Sequence, residues 1–132
     1  AIIPPLQPDG SPTDKVRQIA IHYRAFALAH PTTYGLMYTN TIDELRPDFE
    51  EGVQAVTPFQ TLISHLSGEA DSLAALRGLL AIMHGFSMLE IAGQLRRGGD
   101  LSEAYGYTID AYIKGLKSSY HREHRANIRM GQ

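Results

Sequence analysis

A histidine and several aromatic side chains are the residues of this chain best suited to chemistry. His84 lies in the segment 81–93, which is largely apolar and contains two glycines. A histidine in such a helix can hydrogen-bond to a bound molecule, and a core histidine satisfied by a carbonyl, a hydroxyl or a carboxylate is the alternative. Aromatic rings and thioethers with a few polar tips are typical of apolar ligand cavities, and ordinary core packing is the alternative. We predict a ligand pocket lined by Tyr23, Phe26, Tyr34, Met37, Tyr38, Phe59, Met83 and His84.

Signatures of catalysis are missing from the sequence. It contains no G-x-S-x-G, no phosphate-binding glycine loop and no H-E-x-x-H. His121 and His124 lie three residues apart around Glu123, a spacing that can hold a metal ion on a helix. These histidines belong to a basic tail, and a metal-binding bundle is therefore a minor alternative. We expect no enzyme, no cofactor and no metal.

The composition is that of one globular domain. The 132 residues are 43% hydrophobic and carry a net charge of -2, which argues against nucleic-acid binding through bulk positive charge. The absence of cysteine excludes disulfides and cysteine nucleophiles, and it suits a reducing compartment. No signal peptide and no uninterrupted apolar run of roughly 20 residues is visible. We expect a cytoplasmic protein without a membrane partner.

The spacing of apolar residues predicts an all-α bundle of about five helices. Thr13 or Asp14 is expected to cap the first helix, which stops at His30 because the next residue is proline. Pro58 is expected to kink or break the third helix, and Gly98-Gly99 to end the fourth. No alternation typical of strands is present. The predicted helices cover residues 13–30, 32–38, 47–67, 71–97 and 100–120, the last starting at Asp100 or Ser102.

Two stripes of small residues follow the fourth and fifth helices. Such stripes allow close helix approach, and opposing stripes can build a four-helix seam between two subunits. The alternative is that the two helices pack on each other inside a monomer. Leu76, Leu80 and Met83 form a second row on the fourth helix that is expected to face the core. The predicted dimer interface consists of Ala81, Gly85, Met88, Ala92, Thr108, Ala111 and Gly115.

Several motifs together resemble the C-terminal domain of TetR-family transcriptional regulators. They are the segment YRAFALAHP at 23–31, the Met83-His84-Gly85 triplet and the segment LEIAG at 89–93. The likeness extends over residues 13–118. More narrowly, the sequence resembles the subgroup named for a Trp-His-Gly motif. In this chain, Met83 stands where the members of that subgroup usually have tryptophan.

This resemblance implies an effector-binding and dimerisation domain whose last two long helices form a homodimer. It also implies an unknown small effector, mostly apolar, and operator DNA bound only through an N-terminal helix-turn-helix domain that this chain lacks. We therefore interpret residues 1–12 as a proline-rich linker remnant, 13–120 as the domain and 121–132 as a basic tail. A helical dimerisation or interaction module without a small-molecule ligand is the alternative.

Overall fold

Five α-helices form the part of the chain that the computed structural model describes, residues 10–39 and 49–131. This part contains no strand, and the all-α prediction is confirmed. The predicted opening of the third helix at Pro47 or Asp48, and most of the predicted linker at 1–12, lie outside the described residues. The helices are α1 (Pro12–Ala29), α2 (Pro31–Thr39), α3 (Phe49–Ser67), α4 (Ser72–Ile91) and α5 (Leu101–Met130).

Side-chain caps fix the starts of α1 and α5. Ser11 is the N-cap of α1, because its hydroxyl accepts from the backbone N–H of Asp14 at 3.1 Å, and a proline follows directly. The predicted cap at Thr13 or Asp14 was therefore wrong by two or three residues. Asp100 caps α5, since its carboxylate accepts from the N–H groups of Ser102 and Glu103 at 2.8 and 3.2 Å.

The fourth helix is shorter than predicted. Gly93 takes a φ of +70°, and its N–H donates to the carbonyl of Glu90 at 3.0 Å. The N–H of Gln94 donates to the carbonyl of Leu89 at 2.8 Å, which completes a Schellman motif. Because this glycine ends α4, the predicted extension to Arg97 was wrong.

The third and fifth helices are more continuous than predicted. Pro58 lies inside α3 and does not break it. Pro58 and Gln54 are both exposed, so water can solvate the carbonyl that the proline leaves without an N–H partner. The fifth helix continues ten residues past the predicted end at Tyr120, and the basic tail is helical as far as Met130.

The core lies between α1, α3, α4 and α5, with α2 packed against α1. Leu76 and Met83 face this core as predicted, whereas Leu80 is exposed and does not belong to the row. Fully burying one large aliphatic side chain stabilises a fold by about 1.5–3 kcal/mol. The largest fully buried side chains are Tyr34, Tyr105, Ile19, Ile63, Leu79, Met83, Ile109 and Val16.

Among the described helices, α4 has the length and mean hydropathy (1.4) that would allow it to cross a membrane. One such helix is weak evidence, because the core helix of a globular protein passes the same test. α4 packs against α1, α3 and α5, and 33% of its apolar stretch is buried there, while Leu73, Leu80 and Leu89 are exposed.

We expect Gly93→Ala to lower the free energy of unfolding by about 1–2 kcal/mol, because an L-residue is strained at this left-handed position. The matched control is Gly35→Ala in α2, where a new methyl group meets no atom within 4 Å. This control should be stabilising by up to about 1 kcal/mol through helix propensity. Urea unfolding of both variants tests the pair, and equal effects would contradict the assignment of the α4 C-cap.

Candidate functional site

A continuous chain of hydrogen bonds joins three tyrosines and a histidine from three helices. The hydroxyl of Tyr23 on α1 lies 2.6 Å from the hydroxyls of both Tyr34 and Tyr38 on α2. The hydroxyl of Tyr34 lies 2.6 Å from Nδ1 of His84 on α4. We call the sequence Tyr38, Tyr23, Tyr34, His84 the tyrosine-histidine chain. Its polar atoms converge where α1, α2 and α4 meet.

The rings of these residues also pack on one another. The centroids of Tyr38 and His84 are 4.2 Å apart, and those of Tyr34 and Tyr38 are 4.9 Å apart. Tyr23 meets Tyr34 edge to face at 5.6 Å. Aromatic contacts of this kind add about 0.5–1.5 kcal/mol beyond the area they bury. The site is therefore held by tilted and edge-to-face ring contacts as well as by hydrogen bonds.

Burial differs sharply along the tyrosine-histidine chain. Tyr23 and Tyr34 are buried, whereas Tyr38 is 41% exposed and His84 is half-buried. Burial is the main reason that the pKa of Tyr34 rises to about 12. Burial, together with the bonds to Tyr34 and Tyr38, raises the pKa of Tyr23 further. Both buried phenols are thus firmly neutral donors near pH 7.

The other predicted lining residues are more dispersed. Met83 and Phe59 are buried in the same hydrophobic core as Tyr23 and Tyr34. Phe26 is half-buried and places its ring 5.0 Å from that of His30. Met37 is exposed on α2. The structure therefore joins four of the eight predicted residues by hydrogen bonds, and the ligand-lining role of all eight stays a prediction.

A half-buried ion pair next to this site was missed by sequence reasoning. Nε and Nη2 of Arg24 donate to the two carboxylate oxygens of Glu90 at 2.8 and 2.7 Å. The two side chains are only 14% and 13% exposed. A third donor, Nη1, bonds to the hydroxyl of Ser102 at 3.1 Å, and the guanidinium lies 5.6 Å from the ring centre of Tyr105. The sequence did contain a signal for this pair, because Arg24 and Glu90 are single charged residues in otherwise apolar segments.

Most of the residues predicted to form the dimer interface are small and are not covered by other parts of the described structure. Ala81, Ala92 and Ala111 are exposed, and a methyl group added at Gly85 or Gly115 would meet no atom within 4 Å. Met88 and Thr108 are half-buried. Packing of α4 against α5 inside the subunit therefore does not account for these two glycines.

The contact between α4 and α5 uses other residues. The hydroxyl of Tyr112 donates to the carbonyl of Ala75 at 2.8 Å, and the same side chain would collide with any methyl group at Gly78. Phe86 and Tyr105 meet edge to face at 5.1 Å. Gly78 thus permits close packing within the subunit, in contrast to Gly85, which lies two turns further along α4.

His121 and His124 both lie on the exposed last turns of α5. Their rings contact Tyr120, with centroid distances of 5.9 and 6.2 Å. Within the described part of the chain, no group of three or more histidine, cysteine, aspartate or glutamate side chains is placed to hold a metal ion. The two histidines would need ligands from elsewhere to form a complete site.

We expect Glu90→Gln to lower the free energy of unfolding by about 2 kcal/mol, because it leaves the half-buried guanidinium of Arg24 without its counter-ion. The control is Asp110→Asn, which breaks the Arg17–Asp110 pair whose side chains are 42% and 52% exposed. That exposed pair should contribute less than about 1 kcal/mol. Chemical denaturation measures both variants, and equal losses would contradict the structural importance of Arg24 and Glu90.

The alkaline titration of the tyrosines should separate two groups. Burial raises the pKa of Tyr23, Tyr34, Tyr105 and Tyr112, and these four should ionise above the ordinary value of about 10. Because their folded pKa values exceed the unfolded ones, the stability they contribute is complete below pH 10 and is lost as pH rises towards 12 and beyond. Absorbance of phenolate measures this, and the late component should decrease in Tyr34→Phe. Ionisation of all seven tyrosines near pH 10 in the folded protein would contradict the expected burial.

Comparison with known proteins identifies the family. The family model described as tetracyclin repressor-like, C-terminal domain, matches residues 16–112, which include most of α1, all of α2, α3 and α4, and the first part of α5 up to Tyr112. No curated protein and no solved structure matches the chain. The matched segment contains the whole tyrosine-histidine chain and the Arg24–Glu90 pair. The chain therefore belongs to the tetracycline repressor-like C-terminal domain family.

Proposed function

We propose that this chain is the effector-binding and dimerisation domain of a TetR-type transcriptional regulator. The observation that carries the proposal is the tyrosine-histidine chain, in which polar atoms from three helices converge inside an otherwise apolar bundle. A small number of polar groups among apolar and aromatic ones is the usual composition of a small-molecule site. Membership of a family of regulator domains supports the same function.

The effector is a small, mostly apolar molecule that contacts Tyr38 and His84. These two residues form the accessible end of the site, because Tyr23 and Tyr34 are buried behind them. Met83 lies on the same helix, one residue before His84, and contributes an apolar wall. In this proposal the chain is a member of the Trp-His-Gly subgroup with methionine in the first position. Neither a metal nor an organic cofactor takes part.

The open face of small residues on α4 and α5 is the proposed homodimer interface. Two copies of this face would form a four-helix seam, since side chains as small as glycine and alanine allow helix axes to approach to about 8 Å. The interface residues are Ala81, Gly85, Met88, Ala92, Thr108, Ala111 and Gly115. One helix, α4, would then serve both the effector site and the seam.

The proposed mechanism couples these two surfaces. In the intact cytoplasmic regulator, an N-terminal helix-turn-helix domain would precede α1 and read operator DNA as a dimer. Effector binding moves α1, α2 and α4 relative to one another, which changes the spacing of the two DNA-binding domains. Shifting a two-state equilibrium from 1:99 to 99:1 needs about 5.5 kcal/mol of differential binding. Burial of an apolar ligand with one or two hydrogen bonds is sufficient for this.

One observation favours a second function, a dimerisation module without an effector. The hydroxyls of Tyr23 and Tyr34 already satisfy each other and their neighbours, so the buried part of the site needs no ligand. In such a module, Tyr38 and His84 would act only in packing.

We expect native mass spectrometry of the purified chain to show a dimer with a bound small molecule. Gly85→Leu should overpack the seam and weaken the dimer, because a large side chain replaces the closest point of approach. Ala25→Leu, on the exposed side of α1, is the matched control and should leave the dimer unchanged. A bare dimer would favour the module without an effector. A monomer, or Gly85→Leu that dimerises like the parent chain, would contradict the proposed interface.

A further inference from the structure

The hydrogen bonds of the tyrosine-histidine chain all run in one direction, because each hydroxyl has a single proton to donate. The hydroxyl of Tyr23 contacts two other hydroxyls at 2.6 Å but has one proton, so it donates to one neighbour and accepts from the other. Tyr34 is in the same position between Tyr23 and His84. If either hydroxyl accepted from both neighbours instead, its own buried proton would have no acceptor among these bonds, which is costly. The protons of the tyrosine-histidine chain therefore point the same way, either towards His84 or towards Tyr38.

The chemistry of the last bond selects the direction towards His84. The unprotonated nitrogen of an imidazole is a stronger base than a phenol oxygen, and a phenol hydroxyl is the better donor. Tyr34 therefore donates to Nδ1 of His84. It follows that Tyr23 donates to Tyr34 and that Tyr38 donates to Tyr23. A neutral imidazole that accepts at Nδ1 carries its proton on Nε2.

This direction fixes what the two open ends of the chain can offer. In the described part of the structure, the His84 ring makes its hydrogen bond through Nδ1, and Nε2 has no partner. With respect to the described residues, that nitrogen is consequently an open donor. Tyr38 has committed its proton to Tyr23, and its oxygen is an open acceptor on a residue that is 41% exposed.

The charged groups near the tyrosine-histidine chain restrict the charge that a ligand can carry. Among the described residues, no hydrogen bond joins a charged side chain to Tyr23, Tyr34, Tyr38 or His84. The nearby Arg24 is committed to Glu90 through two short bonds. Within residues 10–39 and 49–131, an anion bound at His84 would find no cation hydrogen-bonded to this site, and burying an unpaired charge is costly.

We propose that His84 selects a neutral, mostly apolar effector that presents an oxygen acceptor, such as a ketone, ester or ether oxygen, to Nε2–H. This inference rests on the proposed effector-binding function and specifies the chemical class of the ligand. Tyr38 adds a weaker preference for a ligand that also donates, for example a hydroxyl group. Carboxylates and amines are disfavoured.

The first test is the tautomer of His84 in the free domain, measured by NMR with ¹⁵N-labelled histidine. We expect the proton on Nε2. Tyr34→Phe removes the donor to Nδ1 and should give a mixture of tautomers. Tyr38→Phe is the matched control, since Tyr23 and Tyr34 can keep their direction without it, and its His84 should match the parent. A proton on Nδ1 in the parent domain would overturn the inference.

The second test compares the binding of three probes that share one ring system and differ in the polar group: naphthalene, 2-acetylnaphthalene and 2-naphthoate. We expect the ketone to bind up to about tenfold more tightly than naphthalene, as one neutral hydrogen bond allows, and the carboxylate to bind least well. In His84→Phe the advantage of the ketone over naphthalene should disappear, while naphthalene itself still binds.

The outcomes separate this inference from the function on which it rests. If naphthalene binds but the ketone has no advantage, or if the carboxylate binds best, the inference is wrong and the effector site stands. If none of the three probes binds, the inference also fails. The function is then judged separately by the small molecule retained in native mass spectrometry.

Discussion

The half-buried pair of Arg24 and Glu90 sets the register on which the site depends. It fixes α1 against α4 with two bonds of planar geometry, and the third donor of Arg24 reaches Ser102 at the start of α5. Tyr23 is the neighbour of Arg24, and His84 lies less than two turns before Glu90. A shift of α1 along α4 would therefore break the ion pair and the tyrosine-histidine chain together. This geometric requirement explains why a charged pair is kept in a place where apolar side chains could pack.

The fourth helix combines two roles that make opposite demands on side-chain size. Its inner face is filled by large residues such as Leu76, Leu79 and Met83, which supply the buried area that holds the bundle together. Its outer side contains small residues such as Ala81 and Gly85 beside exposed leucines such as Leu80. Gly78 belongs to neither group, because the ring of Tyr112 occupies the space that a side chain would take. Glycine at position 78 is therefore required by a close contact inside the bundle, whereas glycine at position 85 is not.

The number, type and order of the helices could be predicted from the sequence, because they follow from local periodicity and from prolines and glycines at the boundaries. The end of α4 could not, since Gly93 lies in an apolar run and its left-handed conformation depends on the bonds of the next residue. The aromatic members of the site were found from residue type. Their hydrogen bonds and the pair between Arg24 and Glu90 join residues 11 to 66 positions apart, and such distances are set only by packing of the helices.

The length of α5 has a consequence for the dynamics of the domain. Thirty residues give a rod of about 45 Å, and residues 117–131 are exposed, with the ring of Tyr120 lying beside Gly68. The first half of the helix is held by buried residues such as Tyr105, Ile109 and Ile113. The last turns are held by their own backbone hydrogen bonds, which alone are marginal in a segment this short. Amide protection should therefore decrease steadily along one unbroken helix, so that a single secondary-structure element spans the range from global unfolding to local fraying.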